Sequence, residues 1–275
     1  MRTKGDLCTL SKNGLYGGSL TELSDTSSIN QSAEAECGSF TIGEIVNLDR
    51  AYSFSAKFKT VKSENGSPAD WLNTAGIPGD GSIVTPSPNP YACRVASDEF
   101  FKAEGAYLNT LNITAPSYGA VLEISADFLC KSIEYTETGS LVAKPQVAPF
   151  TYSSKWAMDG TPINAKSWTL SINNTLATDG DLIDGIAYSH TDAVSTEVDM
   201  SLEFTISSVS HDWDFLKQAE SRQATSPTHT LTWSDGMHDY TVVGWLNPMN
   251  FPTRSQGTYD ETISFKVKSI SYEAV

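Results

Sequence analysis

The strongest constraint on the fold is an internal repeat, because a duplicated unit has to fold in the same way twice. Three segments of the first half recur in the second half in the same order. Two of the matches keep unusual details, namely an Asp-aromatic-Leu-x-x-Ala pattern and a Lys-Ser-Ile-x-Tyr ending. The matched pairs are residues 67–76 with 210–219, residues 107–113 with 245–251, and residues 126–135 with 263–272. The sequence therefore predicts two tandem units with one fold.

The third pair of segments predicts a strand with an irregularity. In the first unit, apolar residues alternate through Phe128 and Cys130 and then change phase to Ile133 and Tyr135. In the second unit, the alternation that includes Phe265 changes phase at the same Lys-Ser pair. A period-2 pattern that changes face indicates a β-bulge, or a strand that passes between two sheets.

Short alternating strands joined by many turns predict a mainly β fold, in which each unit is a β-sandwich or barrel with one short α-helix. The first helix is expected to begin after Ser67 as N-cap and to end at Gly76. The predicted domains are residues 1–145, which include an N-terminal arm, and residues 146–275, joined near the Pro-containing segment 143–149. The predicted repeat core consists of Trp71, Leu72, Phe128, Phe215, Leu216 and Phe265.

The charge balance argues against a nucleic-acid-binding protein. Lys and Arg total 18 against 33 Asp and Glu, which gives 18 − 33 = −15. Affinity for a phosphate backbone comes largely from Lys and Arg, and neither half is basic. We recognise no secretory leader and no apolar stretch of membrane-spanning length, so we expect a soluble protein made in the cytoplasm. The four cysteines have no CxxC spacing and are expected to be reduced and buried.

We find no motif for catalysis or for binding a phosphate or dinucleotide, and we expect no enzyme activity, catalytic residue, cofactor or metal site. The histidines are all in the second unit: His190, His211, His229 and His238. A metal or acid–base site built from them is the weaker alternative to structural or surface roles. An Asp-Gly-Asp sequence at residues 179–181 loosely suggests calcium, but Ile183 stands where a ligand is required.

Several segments together carry a resemblance to a known family: residues 160–174, the strand that starts near Val198, the Asp214-Phe215-Leu216 helix and residues 260–272. With the duplication, they resemble the tail tube (major tail) proteins of long-tailed bacteriophages. The resemblance implies two tail-tube-like domains per chain and trimeric rings with pseudo-sixfold symmetry, stacked into a conduit for DNA ejection. It also implies that the protein lies in the virion tail after assembly in the host cytoplasm. The implied partners are further copies of the chain, the tape-measure protein and other tail proteins, while DNA passes without specific binding.

An acidic strand supplies candidates for the lining of such a tube. Glu197, Asp199 and Glu203 alternate with apolar residues and lie on the side of the strand away from the core. Carboxylates in a lumen would repel the DNA backbone, so that DNA slides without adhering. An acidic strand on the outer surface is an equally weighted alternative. Lys57 and Lys59 lie on the corresponding face of the first unit and depart from the acidic pattern.

Assembly would use sheet edges and variable segments, for which residues 63–65, 76–90 and 175–192 are candidates. The alternative from another functional class is a carbohydrate- or receptor-binding β-sandwich module or a virion decoration protein. The chain has 6 Trp and 11 Tyr, which would suit a sugar-binding platform. Trp71, Trp213 and Trp245, however, fall at repeat positions that are predicted to be core.

Overall fold

The computed structural model describes residues 9–35, 42–96, 99–139, 142–183, 187–207, 227–247 and 260–275, with the backbone alone at 28–35, 42–51, 96, 177–183, 187–197, 207 and 261. The described chain is mainly β, which confirms the predicted class, and these ranges contain one short helix, α1 (Pro68–Thr74). The first half contains the strands β1 (Thr9–Lys12), β2 (Leu15–Ala35), β3 (Ile42–Lys59), β4 (Asn89–Ala96), β5 (Glu99–Ala115), β6 (Glu123–Cys130) and β7 (Ser132–Thr136). The second half contains β8 (Ala157–Met158), β9 (Thr161–Pro162), β10 (Ala165–Ile183), β11 (Ala187–Ser207), β12 (Thr228–Ser234), β13 (His238–Leu246) and β14 (Asp260–Ala274).

Antiparallel pairing closes the strands of the first half into a circuit. From β1 the order runs through β2, β3, β6, β5 and β4, and β4 pairs again with β1. In the second half, β9 and β10 take the place of β2, and the order continues through β11, β14, β13 and β12 back to β8. The two halves therefore share one strand order, whereas the domain boundary at residues 145–146 stays a prediction.

The first hairpin of each half has the same turn. Asn13 and Gly14 have φ values of 51° and 73°, and Asp159 and Gly160 have values of 49° and 81°. Two residues with positive φ form a type I′ turn, whose twist matches that of the flanking strands. The Asn13 N–H donates to the Pro90 carbonyl at 3.0 Å, and the Asp159 N–H donates to the carbonyl of Thr230 at 2.8 Å. Each turn is thus fixed in the same way to the strand that follows the long hairpin of its own half, β4 in the first half and β12 in the second.

The predicted irregularity of the last strand is present in both halves. In the first half Lys131 separates β6 from β7, and its N–H donates to the Glu104 carbonyl at 3.0 Å. In the second half the pairing of β13 with β14 shifts so that Lys268 has no cross-strand partner. Because the bulge changes which side chains face inward, Ile270 is buried just as Val267 is.

One seam joins the halves into a single sheet, since residues 110–115 of β5 pair with residues 168–173 of β10. The helix α1 lies over this seam. Trp71 packs into the first half, with its ring centroid 4.6 Å from that of Phe58. Leu72 and Pro68 line a narrow apolar gap together with Trp168 and other core side chains of the second half. The hydrophobic core therefore lies on the face of the sheet that α1 covers.

The helix begins as the sequence predicts, because the Ser67 Oγ accepts a hydrogen bond from the N–H of Asp70 at 3.1 Å. Predicted core residues Trp71, Leu72, Phe128 and Phe265 are all at most 1% exposed. Phe215 and Leu216, with the helix expected at residues 210–219, lie outside the described residues.

Part of one predicted assembly segment is regular strand. Residues 175–183 and 187–192 belong to the distal part of the paired β10–β11 hairpin, and the predicted role of segment 175–192 in assembly stays a prediction. The matching hairpin of the first half, β2 with β3, was not identified from the sequence. Both hairpins extend well beyond the strands that flank them, where few apolar side chains mark the strand pattern.

Candidate assembly surfaces

The face of the sheet opposite α1 is polar and continuous across the seam. In β11, Met200, Leu202 and Phe204 are buried, whereas the alternating Asp199 and Glu203 are exposed. The same alternation holds in β3, β6, β5, β10 and β14, and the strand register aligns the outward residues in three rows. We call these rows the polar face: Lys59, Glu123, Thr114, Thr169, Glu203 and Ser264; then Lys57, Ser125, Asn112, Ser171, Ser201 and Lys266; then Ser55, Asp127, Thr110, Asn173 and Asp199.

Every lysine of the polar face lies beside a carboxylate. Lys57 and Lys59 are 3.9 and 3.1 Å from Glu123, and Lys266 is 3.5 Å from Asp199. The three lysines and Asp199 are well exposed and Glu123 is half-buried, so the pairs add little to the free energy of unfolding. They nevertheless lower the positive potential near each ammonium group. With four carboxylates and three lysines, the face has a formal charge of 3 − 4 = −1.

The structure describes the side chains of two of the three predicted lumen residues, and their role in a lumen stays a prediction. Asp199 and Glu203 both lie on the polar face, and no Lys or Arg of the described residues approaches Glu203 within 4.0 Å. The Glu197 backbone pairs with Thr175, but its side chain lies outside the described residues. The sequence placed Lys57 and Lys59 on the corresponding face of the first unit, but it did not reveal that this face continues into that of the acidic strand or that Glu123 lies beside the lysines, because register between distant strands is needed to see it.

In the part of the chain that the structure describes, the outer side of β2 is an open sheet edge beyond residue 19. β1 pairs with residues 15–19 of β2, and within the described ranges no strand pairs with residues 20–35 on that side. The corresponding strand of the second half, β10, is the one that receives β5 at the seam. An unpaired row of backbone N–H and C=O groups is a template for another strand.

Contacts at the seam hold the two halves together. The buried Asn174 side chain donates from Nδ2 to the carbonyls of Ala75 and Leu108, both at 3.1 Å. The segment after α1 lies against β14, where the Tyr272 N–H donates to the Gly79 carbonyl at 2.9 Å. A Cβ at Gly79 would lie 2.8 Å from the Tyr272 ring, so this close approach requires glycine.

The residues considered for chemistry are dispersed in the part of the chain that the structure describes. No group of three or more His, Cys, Asp or Glu side chains there could hold a metal ion. His229 Nδ1 lies 2.7 Å from Asp159 Oδ2 and braces the hairpin turn, and His238 lies beside Asp235. The side chains of His190 and residues 179–181, and all of His211, lie outside the described residues.

Cys93 and Cys130 are buried thiols that form no disulfide in the described structure, while Cys8 and Cys37 are outside the described ranges. Burial, with a smaller contribution from the Asp25 carboxylate, raises the pKa of the Cys130 thiol to about 12. Since the thiolate is the reactive form, Cys130 is expected to react slowly with thiol reagents in the folded protein.

The tryptophan side chains of the described residues do not form an exposed platform. Trp71, Trp156, Trp168 and Trp233 are at most 5% exposed. The last three pack around one another in the second half, with ring centroids 5.0 to 5.6 Å apart. Trp245 is half-buried in β13, and Trp213 lies outside the described ranges.

In the described residues we find no helix with both the length and the apolar character needed to cross a membrane. No known protein-family model matches the chain. A search of curated proteins likewise gives no match.

Proposed function

We propose that the chain is a non-enzymatic structural protein that forms trimeric rings with pseudo-sixfold symmetry, stacked into the tail tube of a long-tailed bacteriophage. The seam carries this proposal, because there one half adds its β5 edge to β10 of a half with the same strand order. A unit that joins a copy of itself edge to edge closes a ring when the same contact is repeated around an axis. Three chains would supply six such units.

The polar face is the proposed lining of the lumen. It carries many Ser, Thr and Asn side chains, and each of its lysines has a carboxylate within 4.0 Å. DNA binds proteins chiefly by exchanging its counterions for Lys and Arg. A surface whose lysines are already paired and whose net charge is slightly negative lets DNA slide without adhering. This differs from the strongly acidic lining that the β11 strand alone predicts.

The remaining parts of the proposal follow from the resemblance. The partners are further copies of the chain, the tape-measure protein and other tail proteins, and the protein is located in the virion tail after assembly in the host cytoplasm. The open edge of β2 is the feature of this chain that supports self-association.

Negative-stain electron microscopy and native mass spectrometry of the purified full chain test this function. We expect hollow rings of three chains, with stacked tubes at higher protein concentration. A protein that stays monomeric across the concentrations that phage tail proteins reach in cells would refute the proposal.

The same preparation tests the alternative of a carbohydrate-binding module. A monomer with reproducible affinity on a glycan array would favour that function over the tube. The burial of four tryptophans currently argues against it, because an indole ring that stacks on a sugar has to be exposed.

A further inference from the structure

Two matched tyrosines of the repeat have different surroundings. Tyr135 in β7 and Tyr272 in β14 each end a Lys-Ser-Ile-x-Tyr sequence. Tyr135 is the cross-strand partner of Phe101, and Tyr272 is the partner of Tyr240. The ring centroids are 5.8 Å apart in both pairs. The two tyrosines therefore occupy equivalent positions in the two halves.

Tyr272 is covered by the other half of the same chain. Its hydroxyl donates to the Ile77 carbonyl at 3.1 Å, and its ring faces Gly79. An isolated bridge between Asp80 and Ser271 continues this contact. All three contacting residues of the first half belong to the segment that follows α1.

Tyr135 has no such cover in the described structure, where its side chain is 47% exposed. Its hydroxyl donates to Asp25 Oδ1 at 2.8 Å. Asp25 belongs to β2, on the stretch whose outer edge is open. The exposed ring and the open edge are thus adjacent parts of one surface.

The open edge of β2 in the first half is equivalent to the edge of β10 in the second half, which is paired at the seam. Following the paired strands through both halves, residues 23–28 of β2 correspond to residues 168–173 of β10, which pair with β5. At the seam, one half supplies both a strand to the β10 edge and a covering segment to Tyr272. The first half has the same two features, an unpaired edge and a tyrosine. In the described residues, no strand pairs with that edge and no segment covers that tyrosine.

We propose that Tyr135 and the open edge at residues 23–28 form the docking site for the second half of a neighbouring copy of this chain. The contact between chains repeats the contact between the halves. The inference rests on the proposed function, because it assigns the surface through which the rings close.

The test compares Tyr135→Ala with Tyr272→Ala, since the two residues share one local sequence motif. Tyr135→Ala should keep the wild-type melting temperature within a few degrees and reduce the yield of rings at least tenfold. Tyr135→Phe keeps the ring and should assemble. Tyr272→Ala should instead lower the melting temperature, because it removes packing within the chain.

Photo-crosslinking identifies the partner directly. A benzoylphenylalanine placed at position 135 should form crosslinks between chains that map to residues 146–275. If wild-type rings form but Tyr135→Ala assembles equally well, or the crosslinks map to a first half, the docking site is wrong and the tube function stands. If the wild-type chain forms no rings, the tube function fails and this site fails with it.

Discussion

Asn174 offers the sharpest test of how the two halves are held together. Its side chain is fully buried in β10, and its Nδ2 donates to one carbonyl after α1 and one carbonyl of β5. The change Asn174→Ala removes both hydrogen bonds without touching the apolar core. The neighbouring Asn173 lies exposed on the polar face, so Asn173→Ala is a matched control.

The expected cost follows from the two lost hydrogen bonds. Each contributes about 0.5–1.5 kcal/mol net, and a buried carbonyl left without a donor adds a penalty of about 1–3 kcal/mol. The penalty is partly offset, because Asn174 Oδ1 has no hydrogen-bond partner among the described residues and its burial already costs free energy. We therefore expect Asn174→Ala to lower the free energy of unfolding by about 2–3 kcal/mol.

Urea unfolding of the unassembled chain, followed by tryptophan fluorescence, measures this change. The buried cluster of Trp156, Trp168 and Trp233 lies in the second half, next to the seam, and should report its unfolding. The midpoint should fall for Asn174→Ala while the slope with urea stays constant. A loss below about 0.5 kcal/mol, or one equal to that of Asn173→Ala, would refute the idea that Asn174 fastens the halves.

Two further predictions concern the repeated turns and the buried thiols. Gly14→Ala and Gly160→Ala should each lower the free energy of unfolding by about 1–2 kcal/mol, because a Cβ clashes with its own backbone in the left-handed conformation. A clash with other residues is excluded, since a Cβ at either position would have nothing else within 4 Å. Unchanged thermal melting of both variants would contradict the turn assignment. Cys130, with a pKa raised to about 12, should resist iodoacetamide at pH 8 in the native protein and react once urea unfolds it. Peptide mass spectrometry checks this, and rapid native labelling of Cys130 would show that its environment is wrong.

Several features of the fold are readable from local sequence. The Ser67-Pro68 start of α1 is predicted from capping preferences, and the bulge is predicted from the phase change shared by both units. The burial of Phe128 and Phe265 follows from strict alternation. These features depend on residues within a few positions of one another, so they can be predicted from the local sequence alone.

The candidate assembly surface could be identified only from the tertiary structure. Nothing in the local pattern pairs Asn112 with Ser171, yet that pairing continues the polar face across the seam. Tyr135 and Tyr272 are equivalent in sequence, and only the packing of residues 77–80 against β14 distinguishes the covered tyrosine from the exposed one. Periodicity states which side of a strand is apolar, but the choice of neighbouring strand depends on hydrogen bonds and packing between residues far apart in the chain.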